Sequence, residues 1–236
     1  MRTLLFSKMP YSNKPVIELK EQKPFASGGN RLCFRHPENS EHCLKVIRPD
    51  RTPEIRRAEK RFPANLRPLR TFDENLVEFI TLNYLHLNYP SQITRYLPRS
   101  FGLVETDLGT AHVTELVSDS DGRIAQTLEQ YIWRNGMNST VKQAIRIFKQ
   151  DWSTKPPRTR DLIPHNFVIK LDVESANLIL IDGFGRKPKF RFPLADTLAK
   201  SRLKRRLKDF DYRVQLITKH KLAGDGPMHR INNLKR

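Results

Sequence analysis

The segment RDLIPHN (160–166) constrains the fold of this chain most, because it places an acid, a proline and an asparagine at short spacing directly ahead of an apolar run. That run, NFVIKL (166–171), and a second one, NLILI (177–181), flank a turn and predict a β-hairpin. The hairpin ends at DGFG (182–185), sixteen residues after Asn166. Each segment alone is typical of a turn or a strand end, so its meaning depends on the rest of the chain.

Asp161, Asn166 and Asp182 have the chemistry that phosphoryl transfer requires on its acceptor side. Such a site needs an acid that orients or deprotonates the acceptor hydroxyl, and oxygen ligands for a metal ion that bridges the phosphates. Asp161 suits the first role. Asn166 and Asp182 suit the second, because Mg²⁺ is a hard cation that prefers oxygen ligands. We therefore predict catalytic roles for Asp161 and Asn166, and a Mg²⁺ site at Asn166 and Asp182.

A phosphoryl-transfer site also needs a small-residue loop over the phosphates and a lysine that contacts them. The stretch ASGGNRLCF predicts two short strands around a turn at Gly28 and Gly29, whose backbone N–H groups can approach a phosphate. Asn30 and Arg31 follow directly, and we predict that all four residues bind the nucleotide. Lys45, in the alternating run HCLKVI, is the predicted phosphate-binding and catalytic lysine.

These parts resemble protein kinases in their order and approximate spacing. HCLKVI resembles the kinase strand Val-Ala-Ile-Lys, which implies that Lys45 contacts the phosphates and that Cys43 points over the adenine. Glu78 lies on the next predicted helix and, by the same resemblance, would pair with Lys45. The stretch VTELV resembles the kinase hinge, whose backbone at Glu115 and Val117 would bind adenine.

The resemblance can be narrowed to one family. SGGNRLCFRHPENSEHCLKVIRP, VETDLGTAHVTELVSDSDG, RDLIPHN and LILIDGFG together resemble the bacterial PhoP regulatory network protein family, also called YrbL, over most of the chain. This resemblance implies an α+β, two-lobed, protein-kinase-like fold. A small β-rich N-lobe would occupy residues 1–117 and a reduced helical C-lobe residues 118–236. It also implies ATP and Mg²⁺ as cofactors of an atypical phosphotransferase whose acceptor is open.

Periodicity predicts the elements of both lobes. In the N-lobe we expect a meander of three strands at 15–25, 32–36 and 42–47, followed by one main helix that begins at a capping box of Thr71 and Glu74. In the C-lobe, apolar residues at helical spacing predict a helix with one buried face. That face contains Val141, Ala144, Ile145, Phe148 and Trp152.

Departures from the kinase pattern favour a second hypothesis. Ala26 and Arg31 stand where a kinase loop has glycine, and Ile163 stands where many kinases have a lysine on the transferred phosphate. No Ala-Pro-Glu segment follows DGFG, and too few residues remain there for the usual helical platform that binds peptides. The alternative is a non-catalytic nucleotide-binding regulatory protein, a pseudokinase.

Charge and composition supply the remaining predictions. The chain has 43 Lys and Arg against 25 Asp and Glu, a formal net charge of +18, which favours polyanionic partners. Besides a nucleotide, a basic helix near the C terminus predicts a solvated face, an anionic membrane surface, lipopolysaccharide or a protein acceptor. A third hypothesis is a basic nucleic-acid-binding protein. No long apolar run or signal-peptide pattern occurs, so we expect a cytoplasmic protein in which Cys33 and Cys43 are free thiols.

Overall fold

The structure is a computed structural model that describes residues 16–173, 175–184 and 195–223. Its first sheet is antiparallel and has five strands in the spatial order β1-β2-β3-β5-β4. The strands are β1 (Ala26–Ser27), β2 (Arg31–Arg35), β3 (His42–Ile47), β4 (Ser100–Thr106) and β5 (Gly109–Glu115). The chain leaves β3, crosses to the outer edge as β4 and returns as β5 beside β3. The crossover carries the helices of the N-lobe.

Strand β3 divides its side chains between the two faces of this sheet, because successive residues of a strand point to opposite sides. Leu44 and Val46 are buried on one face, in a small apolar core. The other buried members of that core are Leu19, Phe34, Ala111 and Val113. Cys43 and Lys45 therefore lie on the opposite face.

Helix α2 covers the Lys45 face of the sheet. The crossover contains three α-helices: α1 (Pro53–Ala58), α2 (Glu74–Asn88) and α3 (Ser91–Thr94). The Asn75 side chain on α2 is buried and donates from Nδ2 to the carbonyl groups of Lys45 (2.9 Å) and Thr110 (3.0 Å). One amide group thus ties α2 to both β3 and β5.

A second antiparallel sheet has three strands in the order β6-β7-β8. Its strands are β6 (Gln126–Thr127), β7 (Phe167–Leu171) and β8 (Ala176–Leu180). Three helices accompany it: α4 (Leu128–Asn135), α5 (Ser139–Thr154) and α6 (Ala195–Ala223). The predicted hairpin between Asn166 and Asp182 is confirmed as β7 and β8, and a short 3₁₀ helix at Pro164–Asn166 leads into it.

An aromatic cluster forms the centre of the C-lobe core. Phe148 and Trp152 on α5 are fully buried, with ring centroids 5.1 Å apart. Phe148 also contacts Phe167 at the start of β7 (5.0 Å), and Phe167 contacts Phe210 on α6 (5.5 Å). The predicted apolar stripe of α5 is therefore confirmed as its core face. The same cluster holds α6 against the start of β7.

One predicted strand is wrong. In the described residues 16–25, the pairing is limited to an isolated bridge between Ile17 and Thr106. The Asp107 carboxylate accepts the backbone N–H groups of Leu19 (2.7 Å) and Lys20 (3.1 Å). The N–H groups of Leu19 and Lys20 are thus bound to a side chain rather than to a neighbouring strand, and the alternating pattern there does not become a strand.

The fold is α+β and kinase-like, with a β-rich N-lobe and a helical C-lobe, as predicted. A lysine on β3 that faces a glutamate on the main N-lobe helix, here α2, is the N-lobe arrangement of protein kinases. The lobe boundary after Val117 stays a prediction; Val117 itself packs with Ala125, Val168 and Ile179. Within the described ranges, none of the helices combines the length and hydropathy needed to span a bilayer.

Helix α2 begins at a different cap from the predicted one. The N-cap is Asp73, whose carboxylate accepts the N–H of Leu76 (3.0 Å). The predicted box paired Thr71 with Glu74, but Thr71 ends a separate 3₁₀ turn, Leu69–Thr71. The helix therefore starts two residues later than the Thr71 box requires, and Glu74 is its first residue, free to bind elsewhere.

We expect Asp73→Ala to lower the free energy of unfolding by about 1 kcal/mol, because the first turn of α2 loses its side-chain acceptor. Asp73→Asn keeps an acceptor oxygen at the same position and should cost little. Urea unfolding of both variants measures the difference. An equal loss in both would contradict a capping role for Asp73.

Candidate functional site

An ion pair between β3 and α2 forms the centre of the candidate site. Lys45 Nζ donates to Glu78 Oε1 at 2.6 Å, and both side chains are buried. The alternation of β3 turns Lys45 toward α2, and Asn75 fixes the helix one turn before Glu78. Lys45 Nζ also donates to the carbonyl of Ile181 (2.9 Å). The lysine is thereby bonded both to its expected partner and to the residue that precedes Asp182.

Arg31 is a second buried cation in this cluster. Its Nη2 atom lies 2.6 Å from Glu78 Oε2 and 3.3 Å from Asp182 Oδ1. Its Nη1 atom is buried and has no hydrogen-bond partner among the described residues. Arg31 thus links the predicted phosphate loop to Glu78 and Asp182, and it keeps one unsatisfied donor.

Glu78 is charged despite its burial. Burial by itself raises the pKa of a carboxyl group, but the charges of Arg31 and Lys45 outweigh it and hold the pKa of Glu78 well below its ordinary value. Burial likewise lowers the pKa of Arg31, and the carboxylates of Glu78 and Asp182 more than reverse this. At neutral pH the charged Glu78 carboxylate is therefore shared by Lys45 and Arg31, and Arg31 has Asp182 as a second carboxylate.

His112 completes the buried side of the cluster. It lies on β5 directly opposite Lys45, with Nδ1 3.4 Å from Glu78 Oε1 and Nε2 2.8 Å from Ser100 Oγ. Burial lowers the pKa of His112, because a charged imidazole loses its hydration there. The ring is thus kept neutral beside two cations.

Cys43 lies on the same face as Lys45, opposite Thr114 on β5. Cys33 and Cys43 are free thiols, as predicted. A hydrogen bond between the two sulfur atoms lowers the pKa of Cys33 to about 7. The same bond and burial raise the pKa of Cys43. Cys43 is therefore a neutral, buried group on the surface that is predicted to face adenine.

The acceptor side of the predicted site folds against Gly183. Asn166 Nδ2 donates to the carbonyl of Asp161 (3.0 Å), and the N–H of Asp161 donates to the carbonyl of Gly183 (3.2 Å). The N–H of Ile181 donates to the carbonyl of Asn166 (2.8 Å). The backbone of Asp161 is thus held in place, while its carboxylate is 54% exposed and accessible to an acceptor.

Gly183 has to be glycine. Its φ of +82° lies in the left-handed region, which L side chains rarely adopt. A Cβ atom there would lie 2.3 Å from the carbonyl oxygen of Asp161 and 2.7 Å from Asn166 Nδ2. The loop that carries Asp161 can approach the Asp182 segment only because this side chain is missing.

Asn166 and Asp182 fit Mg²⁺ by their donor chemistry. The Asp182 carboxylate is 45% exposed, and Asn166 has used its amide nitrogen on Asp161, which leaves its oxygen for a ligand. Mg²⁺ is commonly held by one or two carboxylates together with phosphates rather than by an all-protein cage. In the described part of the chain no cluster of three or more His, Cys, Asp or Glu could hold a metal. The donor set therefore suits an ion that binds together with a nucleotide.

The predicted adenine-binding backbone is partly used by the fold. The N–H of Glu115 donates to the carbonyl of Arg99 (2.9 Å), and the carbonyl of Val117 accepts from the N–H of Ala125 (3.0 Å). The N–H of Val117 makes no hydrogen bond to another described residue. The hinge segment therefore offers a donor at Val117 for a base.

The predicted phosphate loop divides into two parts. The N–H of Gly28 donates to the carbonyl of Arg31 (2.8 Å) and closes the β1–β2 hairpin. Asn30 Nδ2 donates to Glu74 Oε1 (3.3 Å). Gly28 and Gly29 are exposed and are not among the described residues that line the cleft beside α2. The structure thus brings Asn30 and Arg31 to α2 and leaves both glycines at the outer edge.

Sequence reasoning missed Glu74 as a site residue. Its carboxylate accepts from Asn30, pairs with Arg56 on α1, and lies 4.0 Å from Arg31 Nε and 4.0 Å from Arg160 Nη1. It therefore connects the N-lobe hairpin to the loop that carries Asp161. The available signal was an acidic residue in the first turn of α2, which the sequence equally explains as a helix cap.

We expect Glu78→Gln to lower the free energy of unfolding by roughly 3–5 kcal/mol, because two buried cations lose their shared carboxylate. Glu105→Gln, an exposed change on the same lobe, is the control and should stay within about 0.5 kcal/mol. Urea unfolding at pH 7 measures both. Equal losses would contradict the buried ion cluster.

The same variant tests the sign of the pKa shift. In the wild type, as the pH is lowered, Glu78 becomes protonated in the unfolded state near its ordinary pKa of 4.5, before it does so in the folded state, where its pKa is well below that value. The unfolding free energy therefore falls as the pH is lowered from 4.5. Glu78→Gln should have a shallower loss below pH 4.5. Parallel curves for wild type and variant would refute the assignment.

Gly183→Ala should destabilise the protein more than Gly109→Ala does. Both glycines have positive φ, so each alanine costs about 1–3 kcal/mol of backbone strain. A Cβ at Gly109 meets no atom within 4 Å, whereas the one at Gly183 collides with Asp161. The difference between the losses of unfolding free energy in the two variants measures the cost of the collision. Equal losses would mean that the Asp161 loop moves away from the new Cβ at no cost.

Comparison with known proteins agrees with the family that the motifs resemble. The family model described as PhoP regulatory network protein YrbL matches residues 17–215. The YrbL proteins of Escherichia coli (strain K12) and Shigella flexneri are each 28% identical over 137 residues, which cover 57% of this chain and 55% of the relative. The chain thus spans about half the length of the curated relatives it matches.

Among solved structures, the bifunctional kinase-methyltransferase WbdD is similar over 77% of this chain and 37% of that chain, with a TM-score of 0.39 and 14% identity. The family match, in contrast, begins before β1 and ends within α6, so it includes every residue of the site described above. The chain therefore belongs to the PhoP regulatory network protein YrbL family.

Proposed function

We propose that this protein is an atypical kinase-like phosphotransferase that uses ATP and Mg²⁺ and transfers a phosphoryl group to an acceptor hydroxyl. The observation that carries the proposal is the buried Lys45–Glu78 pair at 2.6 Å, which is joined through Lys45 to the carbonyl of Ile181 at 2.9 Å. Protein kinases need this pair and the neighbouring metal-binding aspartate in place together. Here one lysine contacts both segments.

The nucleotide would lie between the hinge and the buried cations. The N–H of Val117 and the carbonyl of Glu115 would bind adenine, with Cys43 over the base. Lys45 and Arg31 would bind phosphate oxygens, and the unsatisfied Nη1 of Arg31 supports this role, since a buried donor without a partner costs about 1–3 kcal/mol.

Transfer would take place between Asp161 and the metal ligands. Bound Mg²⁺ at Asn166 and Asp182 would neutralise charge on the phosphates. Asp161 would orient the acceptor hydroxyl and accept its proton, for which an exposed carboxylate on a fixed backbone is suited. Asn166 serves both tasks, because its nitrogen holds the Asp161 carbonyl while its oxygen stays free for the ion.

A second candidate is a nucleotide-binding regulator without turnover. The contact between Arg31 Nη2 and Asp182 Oδ1 (3.3 Å) favours it, because a guanidinium already compensates the carboxylate that would hold the ion. Arg31 would then replace part of the metal's charge. The regulatory network in the family's description is compatible with such a role.

The nucleotide site is tested by thermal shift with ATP, Mg²⁺ and both together. At ATP·Mg²⁺ near 100 times Kd we expect about 2.7 kcal/mol of stabilisation, which corresponds to roughly 5–10 °C for a chain of this size. Asp182→Asn should lose most of the Mg²⁺-dependent part. Asp121→Asn is a matched control, since Asp121 is also 45% exposed and paired with an arginine, yet lies outside the site.

Turnover separates the two candidates. A phosphotransferase should hydrolyse γ-labelled ATP slowly without an acceptor, and Asp161→Asn should abolish hydrolysis while the ATP·Mg²⁺ thermal shift persists. A thermal shift with no Asp161-dependent hydrolysis favours the regulator. The absence of any ATP·Mg²⁺ shift in the wild type would refute both.

A further inference from the structure

The first turns of α6 carry a dense block of positive charge. Residues 200–208, KSRLKRRLK, contain six cations and no acid. We call this stretch the α6 cationic segment; its charged members are Lys200, Arg202, Lys204, Arg205, Arg206 and Lys208. None of the six forms an ion pair with another residue in the described ranges. Their charge is therefore available to a partner.

The core contacts of α6 place this segment beside the acceptor side of the proposed site. Phe210 is fully buried against Phe167, the residue that follows Asn166, and α6 contacts the 3₁₀ helix Pro164–Asn166. Residues four apart lie one above the other on a helix. Arg206 therefore lies one turn before Phe210, on the side of α6 that meets the 3₁₀ helix Pro164–Asn166, and Arg202 lies one turn further.

The local charges agree with that position. Burial lowers the pKa of Arg206, and the carboxylate of Asp161 is near enough to oppose this effect. Arg160, 56% exposed, lies 3.5 Å from Asp161. An exposed carboxylate would repel an anionic acceptor, but the positive charges of Arg160 and Arg206 both act on this one.

The short length of the block limits the kind of anion that it can hold. Nine helical residues span only about 13 Å. Beyond Lys208 the helix carries Asp209 and Asp211, which pair with Arg213 and Lys149 respectively. These ion pairs end the run of unpaired cations at Lys208, so a long polyanion that follows the helix finds no further unpaired cation directly beyond it, whereas a single phosphate group needs only the first turns. Arginine suits such a group because its guanidinium binds phosphate oxygens in pairs.

We propose that the α6 cationic segment, through Arg202 and Arg206, binds a phosphate group already present on the acceptor, so that the substrate is a phosphomonoester that also carries a free hydroxyl. This inference rests on the proposed phosphotransferase function. The acceptor oxygen would form a bond to the transferred phosphorus as the bond between that phosphorus and the leaving ADP breaks. The hydroxyl proton would pass to Asp161.

Two probes test the binding without any turnover. Glycerol 3-phosphate represents a soluble acceptor, and phosphatidylcholine vesicles with phosphatidic acid represent a lipid headgroup. NMR titration for the first and vesicle co-sedimentation for the second give apparent affinities. We expect the double variant Arg202→Gln, Arg206→Gln to bind at least one probe tenfold more weakly than the wild type.

The matched control replaces two exposed lysines outside the α6 cationic segment, Lys170→Gln and Lys219→Gln, so that both double variants have the same net charge. The control should retain wild-type affinity for the probe. Arg206→Lys keeps the charge but not the paired donors, and should be weakened as well. This single variant keeps the test valid if the double variant does not fold by circular dichroism.

The outcomes also distinguish this inference from the proposed function. If the double variant loses affinity only for glycerol 3-phosphate, the acceptor is a soluble phosphomonoester. If it loses affinity only for the vesicles, the acceptor is a lipid headgroup. Unchanged binding of both probes, or equal losses in the control, would overturn the inference, as would tighter α6-dependent binding of single-stranded RNA or duplex DNA. The ATP·Mg²⁺ thermal shift should be the same in wild type and double variant, so a missing shift implicates the nucleotide site instead.

Discussion

Glu78 is the group on which the rest of the site depends. Its two carboxylate oxygens each hold a different buried cation at 2.6 Å, Lys45 from β3 and Arg31 from β2. Removal of each charge from water costs several kcal/mol, so the three groups are stable there only while they stay in contact. We interpret the cluster as one that specifies the position of α2 on the sheet more than it adds net stability, since buried ion pairs often only balance their desolvation.

Three consecutive residues connect this cluster to the acceptor side. The carbonyl of Ile181 accepts from Lys45, and its N–H donates to Asn166. Asp182 contacts Arg31, and Gly183 leaves room for the Asp161 loop. One neighbour of Asp182, Ile181, accepts a hydrogen bond from Lys45, and the other, Gly183, accepts one from the N–H of Asp161. A shift of the buried cations would therefore be transmitted to the loop that carries Asp161. The N-lobe and C-lobe parts of the site therefore form one connected structure.

Local sequence patterns predicted much of this arrangement. The β7–β8 hairpin, the buried face of α5 and the order of the site motifs each depend on short-range spacing, which alternation and helical periodicity report directly. Alternation did not give a strand at residues 16–25, because it does not report the hydrogen bonds that the distant Asp107 carboxylate accepts from Leu19 and Lys20. The prediction of Thr71 as the cap of α2 was wrong because a capping box has Glu or Gln three residues after the cap. Thr71 has Glu74 at that position, whereas the actual cap, Asp73, has Leu76.

By itself, the sequence determined the family, the α+β class, and the identity of Lys45 and Glu78 as partners, since these follow from motifs with a defined order. Only the tertiary structure decided which of the charged residues are buried in the site and which stay exposed. It buries Arg31 between Glu78 and Asp182, brings the half-buried Arg206 under the influence of Asp161, and leaves the other members of the α6 cationic segment exposed. Composition counts all of these residues equally in a net charge of +18. Their different roles arise from burial and distance, which residues far apart in the chain acquire only when the strands and helices pack together.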